Sequence, residues 1–560
     1  YFKALFLSLN PTKRLERVDL NIKYNSLVKL DCQRLILKQL IKAGQDCLKE
    51  PWPKGVLVHN NINYPIKLRA KGDRTIHSEK FKRMSFKVDI RGPKRLFGME
   101  EFSIQIPTIR NYTSELFISK LLNTEGIASP RHKYIRLYLN GEFLGLRHIE
   151  EGFTSEMVES NKRRYGPVFS LDEDLSVSYH NSRFDLADSK YWLNVNPLLV
   201  KNALTILEAT KSDPDIINTT FDLNLWAKYF AILDTYRFIH GTLPKSVKFY
   251  LNPVTGLIEP IFYDGHHITS GFPRDFYLTD LLQKPKEGKG LQCYNICEDE
   301  YNNIYFYSLF FGSHNNPNIK FYKLYYQALE KISTDTYLNK SALPIWSSFD
   351  YQRGRLYRDF WRKDGHFNLR LFPHVGSWNN FKVAVNKRRT QIQTAKNLIP
   401  NFNYSELNNT LEIRNNHSRL PQIIDLQCKD KPIQSFVLIK SVPTSYDLNY
   451  LEKCKPENLF FSIDGFATKF NLDSAYNTNF DIINSTDQSN ELLSNKKIYS
   501  QPKIIIKGDY IIDKPLILNK KEIVINSSTN ICLKNKSFIK FTNSKITVLG
   551  KQSAPSKISS

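Results

Sequence analysis

Four cations stand out in the first hundred residues: Arg69, Lys71, Arg83 and Lys87. Arg69 and Lys71 alternate with Leu68 and Ala70, and Lys87 sits between Phe86 and Val88. Successive side chains of an extended chain point to opposite faces, so this spacing predicts strands with one apolar and one basic face. A row of cations on one side of a sheet is chemistry for an anion: a nucleotide, a nucleic acid, an anionic polymer or a membrane surface. Two carboxylates complete the candidate set. Glu151 ends a second alternating run, and Asp264 follows the run Leu257–Tyr263 directly, ahead of Gly265. Each has an ordinary explanation when taken singly. Strand cations are commonly solvated, Glu151 can be an exposed strand end, and Asp-Gly is a common turn pair. His266-His267 is a poor metal pair, because adjacent strand residues face opposite ways and seldom share an ion.

The elements that must position these residues follow from periodicity. Tyr64–Gly72, Met84–Ile90 and the run through Phe102, Ile104 and Ile106 alternate with period two and predict an antiparallel sheet, buried on one face and wet on the other. A helix is predicted over Ser114–Thr124, with Thr113 as N-cap and Gly126 at its C-terminal end. Asn140-Gly141 between His132–Leu139 and Glu142–Ile149 predicts a hairpin with a type I′ turn. A helix capped by Asp222 covers 222–239, and a second hairpin joins Val247–Leu251 to Leu257–Tyr263. Residues 26–49 have near-helical spacing up to Pro51 and Pro53, and 300–345 and 378–398 read as helical.

Near Ile399–Pro400 the composition shifts to Asn, Ser and Asp, with short strands expected at Ile423–Leu426, Phe436–Ile439 and Leu459–Ile463. From about 501 short β runs recur with Asn, Lys and Gly turns and no helix between them. They resemble the opening rungs of a parallel β-helix, and an antiparallel sandwich is the alternative.

Composition bounds the rest. A chain of 560 residues exceeds what one core supports, and 41% hydrophobic with 24% charged residues excludes wholesale disorder. No window approaches the ~18 uninterrupted apolar residues of a membrane span. The chain starts at Tyr1 and reads as a piece of a longer protein. Its seven cysteines are dispersed; only Cys293 and Cys297 are close, no zinc spacing occurs, and mostly free thiols are expected. The net charge of +24 is concentrated toward the N-terminus, where residues 1–100 hold 22 Lys and Arg against 9 Asp and Glu. Aromatic residues of the basic strands fall on the apolar faces, away from the cations, which disfavours base stacking and hence nucleic acid as the partner.

Four ordered motifs carry a family resemblance. They are LRAKGD (Leu68–Asp73), RMSFKV (Arg83–Val88), SPRHKYIRLYLNGEFLGLRHIEE (Ser129–Glu151) and FYLNPVTGLIEPIFYDG (Phe249–Gly265). Over residues 56–400 the chain resembles the CotH kinase-like family, named for a bacterial spore-coat protein that is an atypical protein kinase. The resemblance implies ATP and Mg²⁺ as cofactors and transfer of the γ-phosphoryl group to a protein hydroxyl. It implies that Arg69, Lys71, Arg83 and Lys87 meet the nucleotide phosphates, that Glu151 orients one of those cations, and that Asp264 binds the metal. Phosphoryl transfer asks for these parts: cations on the phosphates, a metal on a carboxylate, and in-line positioning. Two positions depart from the family pattern. Leu243-Pro244-Lys245-Ser246 stands where Asp or His-Asn is common, and Ser170 where a cation is common.

The expected architecture is α+β: an N-terminal mixed segment at 1–55, a kinase-like core with an antiparallel sheet and a helical lobe at 56–400, a β-rich linker domain at 401–500, and the start of a parallel β-helix at 501–560. The alternative function is a catalytically degenerate, pseudokinase-like surface protein whose β-helix binds a glycan or another envelope polymer. An extracellular or cell-envelope location fits both.

Overall fold

The computed structural model describes residues 2–10, 14–37, 52–72, 77, 80–171, 182–265, 278, 300–312, 317–364, 378–397 and 420, and the strands between 401 and 559. The chain divides into two units, the first Tyr1–Leu278 with Lys289–Arg389 and the second Thr279–Gly288 with Thr390–Ser560, so that the main boundary lies close to the shift in composition.

The centre of the first unit is a sheet that closes on itself. Its strands are β1 (Glu16–Asn21), β2 (Lys54–His59), β3 (Ile62–Lys71), β4 (Ser85–Ile90), β5 (Glu101–Gln105), β6 (His132–Leu139) and β7 (Glu142–Glu151), in the order β1-β2-β3-β4-β5-β7-β6. β6 returns to β1 in parallel, with Glu16 opposite Ile135 and Leu20 opposite Leu139. The unit is α+β as expected, but the sheet is a seven-stranded barrel with one parallel seam, not an open antiparallel sheet. β1 makes the difference, because it pairs β2 on one side and β6 on the other and so removes both edges. The sequence reading leaves residues 16–21 in a separate N-terminal segment. Val18, Leu20 and Ile22 are buried and alternate with Arg17, Asp19 and Asn21, a period-two signal present in the sequence but short and separated from the other strands by the helix that follows it.

Leu20, Leu57, Leu68, Val88, Phe102 and Ile149 fill the barrel with other apolar side chains of the same strands. The β6–β7 turn has Asn140 at φ 47° and Gly141 at φ 87°, as a type I′ turn requires. Asn140 also clasps the end of β1: Ile22 N donates to its Oδ1 at 2.8 Å, and its Nδ2 donates to Ile22 O at 2.9 Å. The helix expected over 26–49 is described as Tyr24–Leu37, and its Cys32 is disulfide-bonded, an exception to the mostly free thiols expected. Cys293, Cys297 and the His266-His267 pair lie outside the described residues.

Tyr112, the N-cap of the helix Thr113–Thr124 in place of the expected Thr113, and Leu116 within it pack with Tyr134 of β6 and Leu146 of β7. A second antiparallel sheet contains β8 (Val168–Leu171), β9 (Phe184–Leu186), β10 (Lys248–Leu251) and β11 (Ile258–Ile261), in the order β11-β10-β8-β9. Behind it lies the helix Leu223–Thr235, capped by the Asp222 carboxylate, which accepts Leu225 N at 3.0 Å. Trp226 and Phe230 of that helix meet Phe310, and Trp226 also meets Phe249 of β10. Gly166 permits the approach of the chain to β10: a Cβ there would lie 2.3 Å from Leu251 O.

In the second unit, strands Gln422–Cys428, Lys431–Leu438, Leu459–Ile463 and Phe470–Asn471 form an antiparallel sheet, and Asn401–Ser405, Thr410–Arg414 and Thr444–Asp447 form another. Beyond residue 500 the pairing becomes parallel. Lys503–Ile506 pairs Glu522–Asn526, which pairs Lys545–Leu549. The strands between them pair in the same manner, Asp509–Ile512 with Asn530–Leu533 and Leu516–Asn519 with Ile539–Thr542. Each strand therefore pairs with the strand three further along the chain.

Candidate functional site

The outer faces of β3, β4, β5 and β7 carry a polar row. Arg69 stands opposite Lys87, Lys87 opposite Ser103, and Ser103 opposite Glu150. Lys71 reaches diagonally along this row: its Nζ donates to Ser103 Oγ at 2.8 Å and lies 3.5 Å from Glu150 Oε2. Gln105 Nε2 donates to the same carboxylate oxygen at 3.0 Å.

Arg110 organises the cluster. It ends the 3₁₀ turn Pro107–Arg110, which follows β5 directly. Asn111 at φ 45° and Tyr112 at φ 55° are both left-handed there, an uncommon state for a bulky tyrosine. That turn swings Arg110 back across the sheet face. Its Nε and Nη2 donate to the two oxygens of Glu150, each at 2.9 Å, and its Nη1 donates to Asp264 Oδ1. Glu115 Oε1 stands 3.7 Å from Arg110 Nε. Three carboxylates from three segments thus converge on one guanidinium, with Lys71 beside them.

Asp264 is held from its other side. It follows β11 with φ 52°, and its carbonyl oxygen accepts His240 Nδ1–H at 2.6 Å. His240 Nδ1 also lies 3.7 Å from Asp264 Oδ2 and 3.2 Å from Ser246 Oγ. Ser246, the departure noted in the sequence, is buried and braces this histidine. Gly265 N donates toward Glu115 Oε1 at 3.4 Å. The Asp264 side chain is 23% exposed and that of Lys71 20%, while Arg110, Glu150 and Glu115 lie at 5% or less. The cluster therefore has an open rim over a buried base.

Electrostatics follow this layering. Burial raises the Glu150 carboxyl, but Arg110 and Lys71 outweigh it and hold the group well below the usual carboxylate range. Burial lowers Lys71, opposed by Glu150. Arg110 is kept charged by Asp264 and Glu150 against its own burial. Behind Glu150, His132 and His148 stack with Nδ1 and Nε2 3.1 Å apart. Burial pushes His132 down to about 4 and His148 further, so both are neutral.

The sequence-derived candidates separate accordingly. Lys71 and Asp264 meet around Arg110. Glu151 does not join them. Its carboxylate accepts Arg131 Nε at 2.8 Å and Arg131 N at 3.1 Å, and Glu150 is the partner of Lys71. The reason is the pleat: Glu151 stands opposite Phe102, on the inward register, and Glu150 opposite Ser103, on the outward one. Lys87 shares the polar row, but its Nζ pairs with Glu101 at 2.9 Å. Arg69 is exposed, its guanidinium 5.2 Å from the Trp52 ring. Arg83 is exposed in the 3₁₀ turn Phe81–Arg83 rather than on a strand.

Magnesium characteristically takes one or two carboxylates together with phosphate oxygens and water. The partly exposed carboxylate of Asp264 fits such shared coordination. Among the described residues no group of three His, Cys, Asp or Glu forms an all-protein metal cage. No protein-family model and no curated protein matches the chain.

Proposed function

We propose that the first unit binds ATP with Mg²⁺ and transfers its γ-phosphoryl group to a protein hydroxyl, as an atypical kinase of the CotH type with a kinase-like core. The observation that carries this reading is the convergence of Lys71, Arg110 and Asp264 at one partly open cluster. Lys71 on a strand, oriented by Glu150 on another, is suited to hold phosphate oxygens. Asp264 would hold the metal, which when bound draws charge from the phosphates. The acceptor oxygen forms the new P–O bond as the bond to the bridging oxygen breaks. ADP leaves with that electron pair, and the acceptor proton passes to solvent. Arg69, Arg83 and Lys87, farther along the basic surface, would raise the local concentration of the anion through their field.

One observation favours the second reading, a degenerate nucleotide-binding surface protein. Arg110 already neutralises one oxygen of Asp264, the carboxylate that phosphoryl transfer needs for metal. In that reading the parallel coil beyond residue 500 presents the binding face for a glycan or envelope polymer, and the disulfide at Cys32 suits an oxidising compartment.

Labelling with γ-³²P-ATP separates the two. A kinase incorporates label, and Asp264→Asn and Lys71→Met each lower incorporation by about 100-fold or more, the scale of a lost electrostatic contact in phosphoryl transfer. Mg-dependent ATP binding without incorporation selects the second reading.

A further inference from the structure

The mechanism above does not use the buried cation nearest Asp264 on the second sheet. Lys248, the first residue of β10, is 5% exposed. Its Nζ donates to Lys245 O at 3.3 Å and lies 5.1 Å from the centre of the Tyr263 ring. Arg110 Cζ lies 5.2 Å from the same ring centre and Lys71 Nζ 6.0 Å. Three cations from β3, from the turn after β5 and from β10 thus surround one aromatic side chain, immediately before Asp264. Desolvating an ammonium is costly, and a lysine is rarely buried without compensation. The π faces of Tyr263 supply part of it, since a ring within about 6 Å of a cation attracts it. A second ring, that of Phe153, has its centre 5.9 Å from Lys248 Nζ, and in register Lys248 stands opposite Ser170 and Ile261.

We propose that Lys248 is a third phosphate-binding cation, so that Lys71, Arg110 and Lys248 grip a polyphosphate with protein charge alone and hold it when magnesium is withdrawn. The inference rests on the reading that this cluster receives nucleotide phosphates, and it adds a specificity: three cations from three segments call for a ligand that carries several phosphate charges. A triphosphate or inorganic tripolyphosphate meets that description, and a single phosphate does not. Arg110 on Asp264 already places a fixed cation where the metal would neutralise the ligand.

The test is equilibrium binding of ATP, inorganic tripolyphosphate and inorganic phosphate to the full chain at fixed ionic strength, in excess EDTA and in Mg²⁺. The expected result is that ATP and tripolyphosphate bind in EDTA within about tenfold of their affinity in Mg²⁺, that phosphate binds far more weakly, and that Lys248→Met weakens the EDTA affinity by about tenfold or more while Lys248→Arg retains it. Tryptophan-fluorescence melting of each variant verifies that it is folded. Wild-type binding that requires Mg²⁺ overturns the inference and leaves the nucleotide reading standing, as does a folded Lys248→Met variant with unchanged affinity. Absence of ATP binding in both buffers overturns both. If Lys248→Met does not fold, the wild-type comparison of EDTA with Mg²⁺ and the Lys248→Arg variant still decide the question.

Discussion

Replacing Arg110 by Met isolates the ion cluster from the rest of the fold. In the wild type Arg110 gives Glu150 two hydrogen bonds of 2.9 Å, with both side chains at 5% exposure or less. Removing one member of a buried pair costs about 3–5 kcal/mol, because the other charge stays behind in low dielectric. Lys71 and Gln105 still reach Glu150, which sets the expectation near the lower bound, about 3 kcal/mol at pH 8. The sign of the pH effect is diagnostic. Wild-type Glu150 is depressed, so its contribution is complete above the ordinary carboxyl value of about 4.3 and flat from pH 5.5 to 8. Without Arg110, burial dominates and raises the carboxyl. A raised folded value favours the protonated native state, so the deficit shrinks on acidification, by about 1 kcal/mol or more at pH 5.5. All six tryptophans (Trp52, Trp192, Trp226, Trp346, Trp361 and Trp378) precede Arg389, so urea unfolding followed by tryptophan fluorescence reports on the first unit alone. Adding Glu150→Gln to Arg110→Met should recover about 1 kcal/mol, because it removes the stranded charge. A deficit below about 1 kcal/mol, or one equal at both pH values, refutes the assignment of Arg110 as the keystone of this cluster.

Three further outcomes are expected. Glu151→Gln lowers stability by about 1–3 kcal/mol through Arg131, yet leaves ATP affinity within about twofold, whereas Glu150→Gln weakens ATP affinity; equal effects in a binding titration would contradict the division between the two carboxylates. Acidification from pH 7 to 5 costs the first unit about 2 kcal/mol through His132, because the unfolded imidazole, near 6.5, takes up the proton that the folded one, near 4, refuses. A His132→Asn variant with the same slope of urea midpoint against pH would contradict that. Gly354→Ala places a Cβ 1.9 Å from Ala4 O and should release the helix Phe2–Ser8, with about 1–3 kcal/mol lost and faster proteolysis near the N-terminus as the readout.

Much of the first unit is legible where one face of a strand is wet. β3 and β4 alternate cleanly, so Lys71 and Lys87 fall on the predicted polar side, and the Asn-Gly turn fixes the β6–β7 hairpin. β7 is different. From Leu144 to Glu151 every residue is buried, so hydrophobic alternation no longer says which glutamate looks outward. Cross-strand register settles that, and register is a property of the pairing rather than of either strand. Arg110 left no periodic signal, because it works from a 3₁₀ turn; the strand-to-proline transition at Ile106-Pro107 was the available hint. Lys248 was hidden for the opposite reason: it begins a run buried at every position, where a cation reads as a solvated strand end.

The parallel seam between β1 and β6 also has a consequence for biosynthesis. As the N-terminal portion leaves the ribosome, β1 can pair with β2, but its other neighbour does not yet exist, because α-helical and loop segments and three more strands of the barrel must be made first. During that interval the growing protein carries a half-satisfied ribbon. The asparagine clasp at Ile22 forms only when the β6–β7 turn has emerged, which makes it the latch of a ring that must be shut late, and a site where a slowed or stalled nascent chain would be vulnerable to self-association.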